Sequence, residues 1–365
     1  MTAVLCSFRG KSKMAILHPQ ECYLLERYIS VDYYRRRWEA YKAFVEHCEQ
    51  QVELFMQNLP ANHRRRPAWE QIDITWQNRV LPNIRGTLSG LARSYARLQH
   101  NDPNAYITGG GVNSDNKGLT DYWPERWMSQ QALQRYSDLF SLGSMLDMMV
   151  HGTVSSNWDE GQLTYLYDES AFGPLDLPAQ IPRYQLDTSV VMGPNDPVTV
   201  TGIYLPDVEY ACAQFFHPFS YLPHVAPQGK IRSEYITRQG ERDYGWEKIE
   251  NVPATWTLIH RVENEFIPVP PQGFFPNRHP DELYRWPERE QALLAGSKKH
   301  LTLPSGTVCP HGGLWSTYQA GRIERQHFAQ GDILPQWRDT ATQKRAILWT
   351  LLERDDGSVV QFAAQ

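Results

Sequence analysis

Between Glu21 and Leu59 apolar and aromatic residues recur at Leu24, Tyr28, Val31, Tyr34, Trp38, Tyr41, Val45, Cys48, Val52, Phe55 and Leu59, in steps of three and four. That spacing marks one face of a single long helix, because about 3.6 residues complete a turn. Pro60 ends it. A second helical stretch opens near Pro67, is interrupted at Pro82, and resumes through Ile84, Leu88, Leu91, Tyr95 and Leu98. The segment "ITGGGVNSDNKG", 107 to 118, predicts a glycine-rich loop. A further helix starts at Pro124 and carries Trp127, Leu133, Tyr136, Phe140, Leu146 and Met149. Residues 1–151 therefore read as an antiparallel bundle of three or four helices.

After His151 the periodicity stops. Pro174, Pro178, Pro182, Pro194 and Pro197 punctuate the next stretch, so 152–197 reads as a loop-rich linker. From Val198 onward β-branched and aromatic runs alternate with Gly and Pro, which predicts a β-rich domain over 198–365. The fold class expected is α+β, a helical bundle followed by that domain. Two passages of the β-rich part look alike. "VTVTGIY" at 198–204 precedes "WTLIHR" at 256–261, and "PHGGLW" at 310–315 precedes "WTLLER" at 349–354. They suggest a tandem duplication of a small β-module, over 198–264 and 307–357. The middle of the first copy is longer, 54 residues from Gly202 to Trp256 against 36 from Gly313 to Trp349. On this reading "GGLW" opens a strand, and Trp315 and Trp349 enter a core.

A chain of 365 residues is long enough for two or three domains. Lys plus Arg number 36 against 41 Asp plus Glu, and a formal net charge of −5 offers no general attraction to nucleic acid or anionic lipid. The 12 Trp and 19 Tyr suit both cores and interfaces. Cys6, Cys22, Cys48, Cys212 and Cys309 are scattered and odd in number, which reads as reduced thiols rather than a disulfide framework. No run approaches the roughly 20 apolar residues of a membrane span, and "MTAVLCSFRGKSKMAIL" lacks the segments of a signal peptide. A cytoplasmic protein is expected.

Candidate chemistry is sparse. Cys212, His217, His224, Cys309 and His311 are the soft ligands available, but C-x4-H-x6-H followed by a distant C-x-H fits no common zinc pattern, so no metal site is expected. Cys309 lies in no nucleophile signature. Gly109, Gly110 and Gly111 lack the Lys-Ser/Thr ending of a phosphate loop, and "RRRPAW" at 64–69 reads as a solvated turn. The acid pairs Asp159-Glu160, Asp168-Glu169, Asp281-Glu282 and Asp355-Asp356 read as solvated. No catalytic residue or cofactor fingerprint emerges, which shifts weight from an enzyme toward a protein that works by binding.

"YRRRWEAYKAF", "NLPANHRRRPAW", "TGIYLPDVEYACAQFF" and "CPHGGLWSTYQAGRIERQHFAQGDILP" together resemble immunity proteins of bacterial polymorphic-toxin systems, those encoded beside type VI secretion effectors. The matching positions are Gly202, Tyr204, Pro206 and Cys212, then Cys309, Pro310, Gly313, Trp315, Gly331 and Pro335; Tyr204 stands where such families show Trp. The resemblance implies a protein that binds a cognate toxin acting in the cytoplasm and occludes its active site. It implies no catalytic residues and neither nucleic acid nor membrane as partner.

A toxin with a basic cleft would be met by clustered acids among aromatics. "NWDEGQLTYLYDESAF", 157–172, supplies Asp159, Glu160, Asp168 and Glu169 beside Trp158, Tyr165 and Tyr167. It is the expected docking segment, against the plainer reading of a solvated linker packed by its own aromatics. The rival functions are an enzyme or zinc-binding protein centred on Cys309 and His311, and a scaffold in a larger assembly.

Overall fold

The long apolar repeat at the start of the chain folds as two helices, not one. A computed structural model describes residues 14–220, 225–230, 232–236, 242–296, 301–319, 322–338 and 344–357. Helix α1 is Pro19–Tyr28 and α2 is Val31–Gln57. Ser30 separates them: its hydroxyl accepts from the Tyr33 N–H at 3.2 Å and caps α2, which a helix-interior serine does not do. The restart resets the helical phase. Val31 is 41% exposed, while Leu24, Tyr28, Tyr34, Tyr41, Val45, Cys48 and Val52 are buried.

Beyond α2 the chain makes short 3-10 turns at His63–Arg65 and Ala68–Glu70, where a helix from Pro67 was expected. Helix α3, Ile72–Thr75, runs through one wide turn, Trp76–Val80, into α4, Leu81–Gln99. Pro82 thus lies in a first turn, where its missing N–H costs nothing. The predicted loop at 107–118 is loop only through its glycines. Gly109 has φ 83°, and a Cβ there would stand 2.9 Å from the Gly90 carbonyl oxygen. From Val112 to Leu119 the chain is helical, as α5. Helix α6, Gln130–Val154, is capped by Ser129 and packs with α4 against α2. Helix α7 is the single turn Glu169–Phe172.

Strand β1, Gln180–Met192, occupies much of the stretch expected to be a linker. Its prolines misled the reading: Pro182 sits on a sheet edge beside a register irregularity, a position that tolerates the missing donor. Then follow β2 (Gly202–Pro206), β3 (Gln214–Phe216), β4 (Val225–Gly229), β5 (Arg232–Ile236), β6 (Arg242–Trp246), β7 (Ile249–Pro253) and β8 (Trp256–Pro268). The order β1-β8-β2-β3 forms an antiparallel sheet, and β4 pairs with β7 and β5 with β6. Helices α8 (Pro280–Tyr284) and α9 (Trp286–Gly296) lead to β9 (Thr302–Pro304), β10 (Gly313–Gln319), β11 (Arg322–Phe328), β12 (Trp337–Arg338), β13 (Lys344–Arg345) and β14 (Leu348–Arg354). The second sheet has the order β11-β10-β14-β9.

The chain divides into two compact units at Trp286 and Pro287, a different place from the texture changes near 151 and 197. The reason is a shared core. Leu24, Tyr28, Leu146, Met149 and Val150 of the helices belong to one buried cluster with Ile203, Leu205, Phe215 and Ile259 of the first sheet. The second unit has its own core of Cys309, Trp315, Phe328, Leu334, Ile347, Trp349 and Leu351.

The two sheets share a set of facing pairs. Gly202 faces Phe216 and Tyr204 faces Gln214, as Gly313 faces Phe328 and Trp315 faces Gln326. On the other side Tyr204 faces Leu258 and Leu205 faces Thr257, as Trp315 faces Leu351 and Ser316 faces Thr350. The outer strands agree too: Met192 faces Trp256 as Leu303 faces Trp349. Phe216 meets Trp256 edge-on at 4.8 Å, and Phe328 meets Trp349 edge-on at 5.0 Å. A Cβ at Gly202 would stand 2.7 Å from Leu258, and one at Gly313 would run into the Glu353 carbonyl. The second copy therefore needs glycine where the strand opens, while at Gly202 only the end of the Leu258 side chain would have to move. They differ at the strand's other positions, where Ile203, Leu205 and Phe215 are matched by Leu314, Ser316 and His327, and where Ile203 faces Ile259 but Leu314, beside a register irregularity, faces Glu353.

Candidate functional site

The segment 157–172 is anchored in the first unit's interior. After α6, Ser156 turns the chain at φ 52° and donates its hydroxyl to the Phe215 carbonyl at 2.6 Å. Trp158 donates its indole N–H to the Thr153 hydroxyl at 3.1 Å, and its carbonyl accepts from the Gln214 amide at 2.6 Å and the Cys212 thiol at 3.1 Å. Glu160 accepts from the Tyr165 hydroxyl at 2.8 Å, the Tyr284 hydroxyl at 2.9 Å and the Trp246 indole at 2.7 Å. Tyr167 donates to the Gly173 carbonyl at 3.1 Å. Trp158, Glu160, Tyr165 and Tyr167 are all buried, so this part of the expected docking surface is not surface. Asp159 is half-buried, and its carboxyl is pushed up by burial. Asp168 and Glu169 are exposed, yet Asp168 caps α7 through Ser170 and Glu169 accepts from the Leu175 N–H at 3.0 Å. The segment packs with remote residues, Cys212, Gln214, Trp246 and Tyr284, as well as with its own aromatics.

Glu160 belongs to a buried carboxylate pair that no local motif announces. Glu21 of α1, 2% exposed, accepts from the Ala213 N–H at 2.7 Å. Burial, with the charge of Glu160 nearby and despite that N–H, pushes the Glu21 carboxyl up to about 8. Burial also raises Glu160, outweighing its three donors. The pair joins α1, the 158–167 turn, β6 and α8. The residues of this cluster, from Glu21 to Tyr284, are up to 263 apart in sequence, which is why periodicity and spacing did not find them.

Cys309 takes the role predicted from "GGLW". Its thiol is buried, donates to the His311 carbonyl at 3.0 Å and is pushed up by burial, the reverse of an activated nucleophile. Cys309 stands six residues after Leu303, as Val198 stands six after Met192, and Val198 is buried as well. The repeat therefore uses this position for a small apolar side chain. Cys212 is likewise buried and raised by burial. His217 packs on Tyr106 and Phe215 and accepts from the Phe219 N–H, and His224 lies outside the described residues. Among the described residues no three His, Cys, Asp or Glu side chains are grouped to hold a metal ion. Among them, too, no helix is long and apolar enough to cross a membrane.

The surface feature underrated in the sequence is "RRRPAW". His63 is buried against Asp73 at 2.6 Å, Arg64 pairs with the same carboxylate at 2.7 Å, and Gln71 donates to the Arg66 carbonyl at 2.7 Å. This frame fixes a turn on which Trp69 is 76% exposed between arginines and Glu70. At the same end of the bundle, Phe55 packs on His63 and Trp127, and Trp76 donates to the Tyr122 carbonyl at 3.4 Å. The next residue, Trp123, is 46% exposed, lies at φ 33° and has the Arg126 guanidinium 4.2 Å over its ring. A large side chain in the left-handed region is strained, and such strain collects at binding sites.

No family model matches the chain, and no curated protein or solved structure matches it.

Proposed function

We propose that the protein is an immunity protein that binds a cognate secreted toxin in the bacterial cytoplasm and blocks its active site by occlusion. The observation that carries this reading is the exposed tryptophan end of the bundle. A Trp that is 76% exposed on a hydrogen-bonded turn gains nothing for folding, whereas Trp and Arg dominate the energetics of protein interfaces. The sequence resemblance supplies the kind of partner. The toxin docks on Trp69 and Trp123 with Arg65, Arg66 and Arg126, in place of the 157–172 segment, whose Trp158, Glu160, Tyr165 and Tyr167 are buried.

Co-expression with the toxin encoded beside its gene tests the proposal. Growth should be restored and a stable complex should purify. Trp69→Ala should weaken that complex at least tenfold while the melting temperature stays unchanged. A gene with no toxin beside it, or toxicity that persists on co-expression, rules the reading out.

A further inference from the structure

Glu21 and Glu160 share a dry site, each only 2% exposed. Among the described residues neither makes an ion pair. Glu21 has the Ala213 N–H, and Glu160 has the hydroxyls of Tyr165 and Tyr284 and the indole N–H of Trp246. Burial raises the Cys212 thiol, and the charges of Glu21, Glu160 and Asp159 raise it further, which sets the three acids around that thiol. The cation that acts on Glu160 is Arg232 of β5, exposed and with its guanidinium 6.0 Å over the Tyr284 ring. His18, at the cap of α1, turns its ring instead to Phe274, Phe275 and Trp286.

Two neighbouring carboxylates without a paired cation do not both stay charged in a low-dielectric interior. Their partners decide which keeps the proton. Glu160 has three donors and the field of Arg232, whereas Glu21 has one N–H, so Glu21 is the one that keeps it. Burial of its carboxyl, pushed up to about 8, acts in the same direction.

The walls of the site are unequal. Helix α1 is fixed in the core: Leu24, Leu25 and Tyr28 are fully buried, and the Gln20 amide donates to the Leu163 carbonyl at 2.9 Å. By contrast, Trp246 and Tyr284 are half-buried, β6 pairs with β5 alone, and α8 has five residues. A two-stranded hairpin and a single helical turn have little stability of their own, so this wall opens at the lower free energy.

We infer that Glu21 and Glu160 form a proton-operated latch: while Glu21 holds its proton, β6 and α8 stay closed over the 158–167 turn, and when the proton is lost they move away and water reaches both carboxylates. In the open form the hydrated Glu21 carboxyl returns to its ordinary 4.5 and releases its proton to water, so opening becomes more frequent as pH rises. The latch is separate from the tryptophan end and does not depend on the toxin reading.

Hydrogen exchange of the full chain, read by mass spectrometry on peptides from 158–167, 280–286 and helix α4, tests the inference. After correction for the intrinsic pH dependence of exchange, protection of 158–167 and 280–286 should fall about tenfold per pH unit from pH 6 to about 8 and then level off. Local opening exposes little surface, so low urea should leave that exchange unchanged while it speeds exchange of α4. In Glu21→Gln the fall should vanish. Glu160→Gln, which decides the matter should Glu21→Gln not fold, should make the fall level off at a lower pH. Protection of both segments that is independent of pH, that falls equally in wild type and both variants, or that is lost only together with α4 in urea, overturns the latch.

Discussion

Replacing Glu21 by Gln should change how stability depends on pH more than it changes stability itself. The Glu21 carboxyl moves from an ordinary 4.5 to about 8 on folding. Below pH 4.5 both folded and unfolded chains hold the proton, and its full contribution is present. Between 4.5 and 8 the folded chain keeps a proton that the unfolded chain has released, so stability falls as pH rises, by about 1.4 kcal/mol per unit. The loss from this one group is on the order of 3 kcal/mol at pH 7 and about 5 kcal/mol above pH 8, where it levels off. Gln cannot ionise but keeps an oxygen to accept from the Ala213 N–H. Its extra amide hydrogens add a pH-independent offset, so the slope is the readout. Urea unfolding from pH 5 to 9, followed by helical circular dichroism, reports on the first unit, which contains α1, α2, α4 and α6. The wild-type curve should fall relative to the Glu21→Gln curve by about 1.4 kcal/mol per unit up to pH 8. Glu160→Gln, which removes the neighbouring charge, should make that fall level off at a lower pH. Parallel curves for wild type and Glu21→Gln would refute a protonated buried Glu21.

Two further outcomes follow from the repeated sheet. Cys309→Val should cost no more than about 1.5 kcal/mol in melting experiments, since Val198 fills the matching place, and Cys309→Ser should cost about 1 to 3 kcal/mol by burying a hydroxyl. Stoichiometric zinc in the wild type, lost in either variant, would contradict the apolar role. Trp349→Ala should cost about 3 to 5 kcal/mol, because it removes a buried indole that also donates to the Pro335 carbonyl at 2.9 Å. Wild-type melting of this variant would place Trp349 outside the core.

The order of helices before strands was legible because apolar periodicity is local. So were the two similar passages, since Trp-Thr-Leu and glycine-aromatic pairs stand out as short strings. The break at Ser30 was not: Tyr28, Val31 and Tyr34 keep helical spacing across it, and only the cap distinguishes two helices from one. Strand β1 was hidden by the prolines around it and by Pro182, whose harmlessness depends on a sheet edge. The fate of 157–172 was hidden for a different reason. Acids beside aromatics describe a wet interface and a buried hydrogen-bonded cluster equally well, and the donors that decide for Glu160, Trp246 and Tyr284, come from far along the chain. Trp69 left a signal, a tryptophan in a run of arginines, that was read as charge alone.

Each similar passage has a connection between a Leu-Pro step and a Trp-Thr-Leu strand, Leu222 to Trp256 in the first and Leu334 to Trp349 in the second. The first connection is 34 residues from Leu to Trp and the second 15, yet Tyr204 faces Leu258 and Met192 faces Trp256 as Trp315 faces Leu351 and Leu303 faces Trp349. Length at this point is thus uncoupled from the frame. For a lineage under pressure to change what it displays, each copy offers a place where insertions and deletions can accumulate without disturbing inheritance of the fold, and the copies can diverge at different rates.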